Sequence, residues 1–170
     1  MNKKYSNWLS SCLSNTCKSS GYALDLACGK GRNSIYLAKN GFQVLSVDID
    51  CKSLDFFSHN NIKKKVIDVE KKSNWPLVKN KFDIVVVTNF LNRQIFPLII
   101  KSLNKKGFLI YETFSKGHEK IGRPKNEKFI LKKKELIKLS KRLSLKVYEE
   151  VYVVTNKKKY CKQRIFCEYV

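Results

Sequence analysis

Two short apolar runs, each with an acid at its end, bracket a glycine-bearing turn between Tyr22 and Asp50: YALDLACGKGRNSIYLAKNGFQVLSVDID. Tyr22–Ala27 reads as a strand, Asn33–Lys39 as a helix stopped by Gly41, and Phe42–Val47 as a second strand buried in a parallel sheet. Asp25 and Asp48 sit at the ends of the two runs, and Gly29 and Gly31 bare the backbone between them. That arrangement describes a nucleotide or nucleoside pocket. It leaves open which ligand the pocket takes.

The rhythm continues along the chain. Tyr5, Trp8, Leu9, Cys12 and Leu13 form the apolar stripe of a leader helix within residues 5–20. It is expected to pack on the sheet or to roof the pocket. A second short helix is expected over Ser53–Asn60 and an edge strand over Lys65–Val69. A loop follows at Ser73–Asn80 with Trp75-Pro76, then a central strand at Phe82–Val87. Arg93–Leu103 reads as a helix that can begin at Pro97, and Lys105-Lys106-Gly107 as the turn into a fifth strand, Phe108–Glu112. Residues 113–131 break the pattern, and a loop of that length is usually functional or disordered. A basic amphipathic helix over Lys132–Leu143 precedes two β-rich runs, Lys146–Thr155 and Tyr160–Tyr169, joined at Asn156-Lys157-Lys158. Alternating strands and helices argue an α/β fold with a parallel sheet, and the closing hairpin adds an antiparallel strand. Ligands of such sheets bind beyond the carboxyl ends of the strands.

A chain of 170 residues is expected to form a single domain, 1–170. No apolar run is long enough to span a bilayer. The segment MNKKYSNWLSSCLSN lacks a signal-peptide core, so a cytoplasmic location and no membrane partner are expected. The six cysteines form no Cys-x-x-Cys pair and match no zinc spacing. Free, mostly buried thiols and no metal site are expected, with an adventitious metal or redox site as the other reading. The net charge of +21 has two readings. One is a polyanionic partner such as RNA. The other is compositional: the excess is nearly all Lys, alongside abundant Asn and Ile, and Arg, the bidentate phosphate ligand, is scarce.

Within DLACGKGRN at 25–33 the third glycine of a dinucleotide fingerprint is missing, as is the Gly-Lys-Ser/Thr of a P-loop. Asp25, ahead of the glycines, would repel a pyrophosphate and suits an amino-bearing ligand. Asp-x-x-Cys-Gly-x-Gly-Arg followed by Val47-Asp48-Ile49-Asp50 resembles the first motif and second-strand acid of class I S-adenosylmethionine-dependent methyltransferases. Ile67-Asp68, FDIVVVTNFL at 82–91 and LNKKGFLIYETF at 103–114 are similar to that family's later motifs. TNFLNR, YETF and GHEKIGRP resemble small bacterial members near the tellurite-resistance methyltransferase-like group. Ala27 stands where the family's first glycine is usual, and Lys106-Gly107 where Gly-Gly is usual.

The resemblance implies a doubly wound Rossmann-like fold with a seven-stranded sheet in order 3-2-1-4-5-7-6, and S-adenosyl-L-methionine as cofactor. It implies that Asp25 takes the methionyl amino group, that Ala27, Gly29 and Gly31 line the ligand by backbone, and that Asp48 accepts from the ribose hydroxyls with help from Asp50. Asp68 would meet the adenine amino group and Val69 its ring; Thr88 and Asn89 would lie beneath the methionine; Cys28, Asn33 and Ile49 complete the set. Each of these acids has an alternative role as a helix cap or turn carboxylate. No catalytic base is assigned. The candidates near the methyl are Asn89, Arg93, Tyr111, Glu112 and His118, with Glu112 alternatively pairing with Arg123 and His118 alternatively an exposed loop residue. Residues 113–131 are the candidate substrate lid. The expected acceptor is a small molecule and the expected state a monomer or weak homodimer. The alternatives are an RNA or ribosomal-protein methyltransferase that tracks phosphates with a basic helix over 132–146, and a basic binding module without turnover.

Overall fold

The computed structural model describes residues 5–71, 81–154 and 159–170. The Trp75-Pro76 loop and the Asn156-Lys157-Lys158 connection lie outside the described residues. Seven strands form one sheet: β1 (Gly21–Leu26), β2 (Phe42–Asp48), β3 (Ile62–Val66), β4 (Phe82–Thr88), β5 (Leu103–Phe114), β6 (Ser144–Val154) and β7 (Lys159–Glu168). Their order is β3-β2-β1-β4-β5-β7-β6. β3, β2, β1, β4 and β5 run parallel, and β7 is antiparallel to both β5 and β6. The sheet order and the antiparallel hairpin are those the family resemblance implies.

Both faces are covered, which is why β1 and β4 read as continuous apolar runs rather than alternating ones. On one face, α1 (Asn7–Ser14) and α2 (Arg32–Lys39) bury Trp8, Leu9 and Leu37 against Ala23, Val44, Ile84 and Ile110. On the other, α4 (Phe96–Lys101) and α5 (Glu135–Leu139) bury Phe96, Ile99 and Leu136 against Val85, Leu109 and Ile165. Each fully buried side chain of this kind contributes roughly 1.5–3 kcal/mol relative to exposure. Helix α3 (Cys51–Leu54) packs at the β2–β3 end. Among the described residues no helix is long and apolar enough to cross a membrane.

Several boundaries differ from the sequence reading. The leader helix is Asn7–Ser14, started by Ser6, whose hydroxyl accepts from Leu9 N. The helix expected at 53–60 is instead Cys51–Leu54, because Asp50 caps it through Lys52 N and the Ser53 hydroxyl. β3 lies earlier than expected: register sets Val66 beside Asp48, so Asp68 and Val69 follow the strand. The Lys105-Lys106-Gly107 turn is an irregularity inside β5, with Lys106 at φ 58. The basic helix expected over 132–143 is confined to Glu135–Leu139. Lys134 ahead of it has φ 54, and the Ser140 hydroxyl after it donates back to Leu136 O. The long phosphate track over 132–146 is therefore not a helix.

Candidate functional site

Asp25, Asp48 and Thr88 stand at the carboxyl ends of β1, β2 and β4. Asp25, next to last in β1, is fully buried. Its Oδ2 accepts from the Ser34 hydroxyl at 2.6 Å, and Ser34 Oγ lies 2.8 Å from that of Ser46. Its Oδ1 has no hydrogen-bond partner among the described residues. Burial is the main cause that raises this carboxyl to about 6, against the lowering influence of the Ser34 hydrogen bond and Arg32. A buried carboxylate oxygen without a donor is costly.

After β1 the backbone turns left-handed at Ala27 (φ 53), Gly29 (φ 53) and Gly31 (φ 68). For Ala27 that conformation costs on the order of 1 kcal/mol, so an alanine has replaced a glycine in shape-demanding backbone. Cys28 N donates to Val47 O at 3.0 Å and binds the loop to β2. The two glycines differ. A Cβ on Gly29 would meet nothing within 4 Å, whereas one on Gly31 would lie 2.4 Å from the Phe57 ring. The space Gly31 keeps free is occupied by Phe57, whereas the space beside Gly29 is open.

Asp48 ends β2 with both oxygens held by backbone: Gly29 N donates to Oδ2 at 2.7 Å and Asp50 N to Oδ1 at 2.9 Å. Next to it Ile49 is 65% exposed. Phe56 is also exposed, with the Lys30 ammonium 3.7 Å over its ring. Asp68 accepts from Glu70 N and lies 3.8 Å from Lys71 Nζ, so it closes a turn. Val69 is buried in the core. Asp50 is the cap of α3, as its alternative reading had it.

The other wall is polar and largely internal. Asn33 accepts from Ser6 N and donates to the Thr88 hydroxyl at 3.0 Å. The Ser6 hydroxyl donates to Glu112 Oε1 at 2.6 Å, and Lys162 Nζ lies 3.6 Å from Glu112 Oε2. Lys162 also faces the rings of Phe114 and Tyr160, and burial holds its ammonium below the ordinary lysine range. Glu112 thus pairs with Lys162 and not with Arg123. Sequence reasoning missed Ser6 and Lys162. Ser6 carried a signal, a hydroxyl just before an apolar stripe; Lys162 carried none, because its place depends on β5–β7 register.

The remaining candidates separate. Asn89 is exposed at the end of β4 with φ 58, and its N–H donates to Glu112 O. Tyr111 is fully buried, donates to Phe90 O, and has its phenol pushed up by burial. His118 is buried rather than exposed. Its Nδ1 accepts from Cys161 N, its Nε2 is 2.7 Å from Arg123 O, and it stacks on Phe114. Arg93 donates to both Glu135 oxygens and to the carbonyls of Lys128 and Ile130. Residues 113–131 are thereby folded around His118, clasped by Arg93 and closed by a Ser115–Leu131 bridge.

A family model described as tellurite resistance protein TehB matches residues 5–155. The chain is 35% identical over 91 residues to the probable S-adenosyl-L-methionine-dependent methyltransferase TehB of Haemophilus influenzae strain 10810. That match covers 48% of this chain and only 30% of the relative's length. The crystal structure of TehB from Haemophilus influenzae has a TM-score of 0.76 at 22% identity, covering 100% of this chain and 64% of that one. A SAM-dependent methyltransferase from Methanosarcina mazei has a TM-score of 0.76 at 16% identity, with 99% of each chain covered. Geranyl diphosphate C-methyltransferase from Streptomyces coelicolor A3(2), solved with S-adenosyl-L-homocysteine, has a TM-score of 0.72 at 13% identity over 95% of this chain and 79% of that chain. At these identities the structural likenesses show the fold.

Proposed function

The chain belongs to the tellurite resistance protein TehB family, and from that premise we propose that it is an S-adenosylmethionine-dependent methyltransferase acting on a small-molecule acceptor. The observation that carries the reading is Asp25: a fully buried carboxylate with one oxygen unpartnered, beside an open left-handed glycine. Adenosylmethionine, when bound, supplies an electrophilic methyl on a sulfonium. The residues fit its parts. Asp25 Oδ1 accepts from the cationic amino group, and ionised Asp25 offsets its charge. Asp48, already oriented by Gly29 N and Asp50 N, accepts from the ribose hydroxyls. Exposed Ile49 supplies an apolar surface for the base, and Asp68 an acceptor for its amino group. Ala27, Cys28, Gly29 and Gly31 form the backbone loop, while Asn33, Thr88 and Asn89 form the floor. Val69 supports this edge from within the core.

Such a site works mainly by alignment, and no general base is required where the nucleophile is already a free amine, thiolate or anion. Asn89 and Glu112 are the candidates placed at strand ends beside the floor, with Glu112 positioned by Ser6 and Lys162. Tyr111 and His118 direct their polar atoms into backbone partners and support the wall. Residues 113–131 supply the side that selects the acceptor. The protein works as a monomer or weak homodimer, since its charge opposes self-association.

Calorimetry tests the reading. Adenosylmethionine and adenosylhomocysteine should both bind, and Asp48→Ala should weaken each by about 100-fold, the loss of two charge-assisted hydrogen bonds. Binding of NADH without either adenosyl ligand would overturn it.

A further inference from the structure

A concavity lies at the end of the sheet away from Asp25 and Asp48. It is a cavity of about 710 Å³ on the face that carries α1. Its floor is Phe108, Phe166 and Val147, the two phenylalanines stacked with centroids 5.2 Å apart. Its walls are the chain just after α1, at Asn15 and Cys17, and the start of β6. A smaller hollow of about 250 Å³ shares Asn15, Val147 and Phe166 with it and runs on to Trp8. The floor begins at Phe108, four residues before Glu112 on β5, so it is set back from the acceptor wall by roughly 13 Å of strand.

Three lysines and one acid line the rim: Lys18, Lys106, Lys146 and Glu168. Lys18 is paired with Asp83 at 3.2 Å and Lys146 with Glu168 at 2.7 Å. Lys106 is exposed, with no acidic partner among the described residues. An apolar floor of this size with a single uncompensated cation at its edge matches the anatomy of small-molecule sites. A second copy of the chain is a poor occupant, because two molecules of charge +21 would bring their lysine rims together.

We propose that this cavity binds an amphipathic organic anion, its apolar body on Phe108 and Phe166 and its carboxylate or sulfonate against Lys106. The site is independent of the methyl-donor reading and stands without it. The exposed Val147 edge lets the ligand enter from solvent, and the α1 wall joins the cavity to the acceptor side through the same helix that Ser6 caps.

Anilinonaphthalene sulfonate fluorescence on the full chain, with decanoate and decanol as competitors, tests it. One saturable probe site should appear, and decanoate should displace the probe. Decanol should do so about tenfold less well, the contribution of one charged contact. Lys106→Asn keeps a residue type that accepts φ 58 and should weaken the probe by about tenfold. Val147→Trp should fill the cavity and remove the site. Lys138→Asn, on exposed α5 surface beyond the other sheet face, should leave binding unchanged. Displacement by adenosylhomocysteine, equal loss in Lys138→Asn, equal competition by decanol, or no saturable binding would each overturn the proposal.

Discussion

At Asp25 burial costs stability at the position where the proposed donor site needs a carboxylate. Its folded-state value, about 6, lies above the 3.8 of an unburied aspartate because burial disfavours the charged form. Between those values the folded state holds more protons than the unfolded one. The contribution to stability is therefore complete below pH 4 and is lost as pH rises through 6, on the order of 3 kcal/mol in all. An ammonium ligand prefers the ionised carboxylate, so adenosylmethionine affinity should rise through the same window. Asp25→Asn should flatten both profiles, raise the melting midpoint of the free protein at pH 7.5 and weaken the ligand. Thermal melts and calorimetry at pH 5, 6 and 7.5 check this; an unchanged stability profile in the variant would contradict the assignment of the titration to Asp25. At Gly31 a residue's purpose was hidden from the sequence. The motif is local, but the Phe57 ring that fills its Cβ position comes from beyond α3.

Among the elements, α1 and its cap couple distant parts of the chain. Its stripe was legible because a 3.6-residue period reports a buried face whatever lies opposite. What it packs on was not legible. Trp8 Nε1 donates to Ile165 O, and Ser6 reaches Glu112 and Asn33, partners from three other elements. Ser6→Ala should lower stability by about 1–2 kcal/mol, the loss of a helix cap plus a buried hydrogen bond. Ser6→Thr should restore most of it, as read by urea denaturation; an alanine variant of full stability would mean the cap is not formed in solution. The loop 113–131 shows the converse. Its glycines made it the candidate lid, and Arg93 directs its guanidinium to Glu135 and two loop carbonyls. An arginine forty-two residues from its carboxylate gives no local sign of that.

For the whole molecule, the charge of +21 is the main source of an RNA reading. The continuous basic helix over 132–146 that this reading used is confined to Glu135–Leu139. Any RNA retained at low salt should be lost by about 150 mM, where counterion release no longer favours a loosely held polyanion. Filter binding checks this, and tight binding at that salt would favour an RNA substrate. Apolar runs of strand length, helical periods between them and a terminal hairpin give a parallel sheet with an antiparallel end, while the strand order came from the family resemblance and is the one the sheet adopts. Local chemistry likewise exposed Asp25, Gly29 and Asp48, because a strand end, a left-handed turn and an acid are set by neighbouring residues. The limits of β3 and β5 and the Glu112–Lys162 pair came from pairings across the sheet, and the duty of Gly31 from the Phe57 ring packed on it. A one-residue choice of register turns a side chain from solvent to site, and register is an energy of the assembled sheet rather than of any segment.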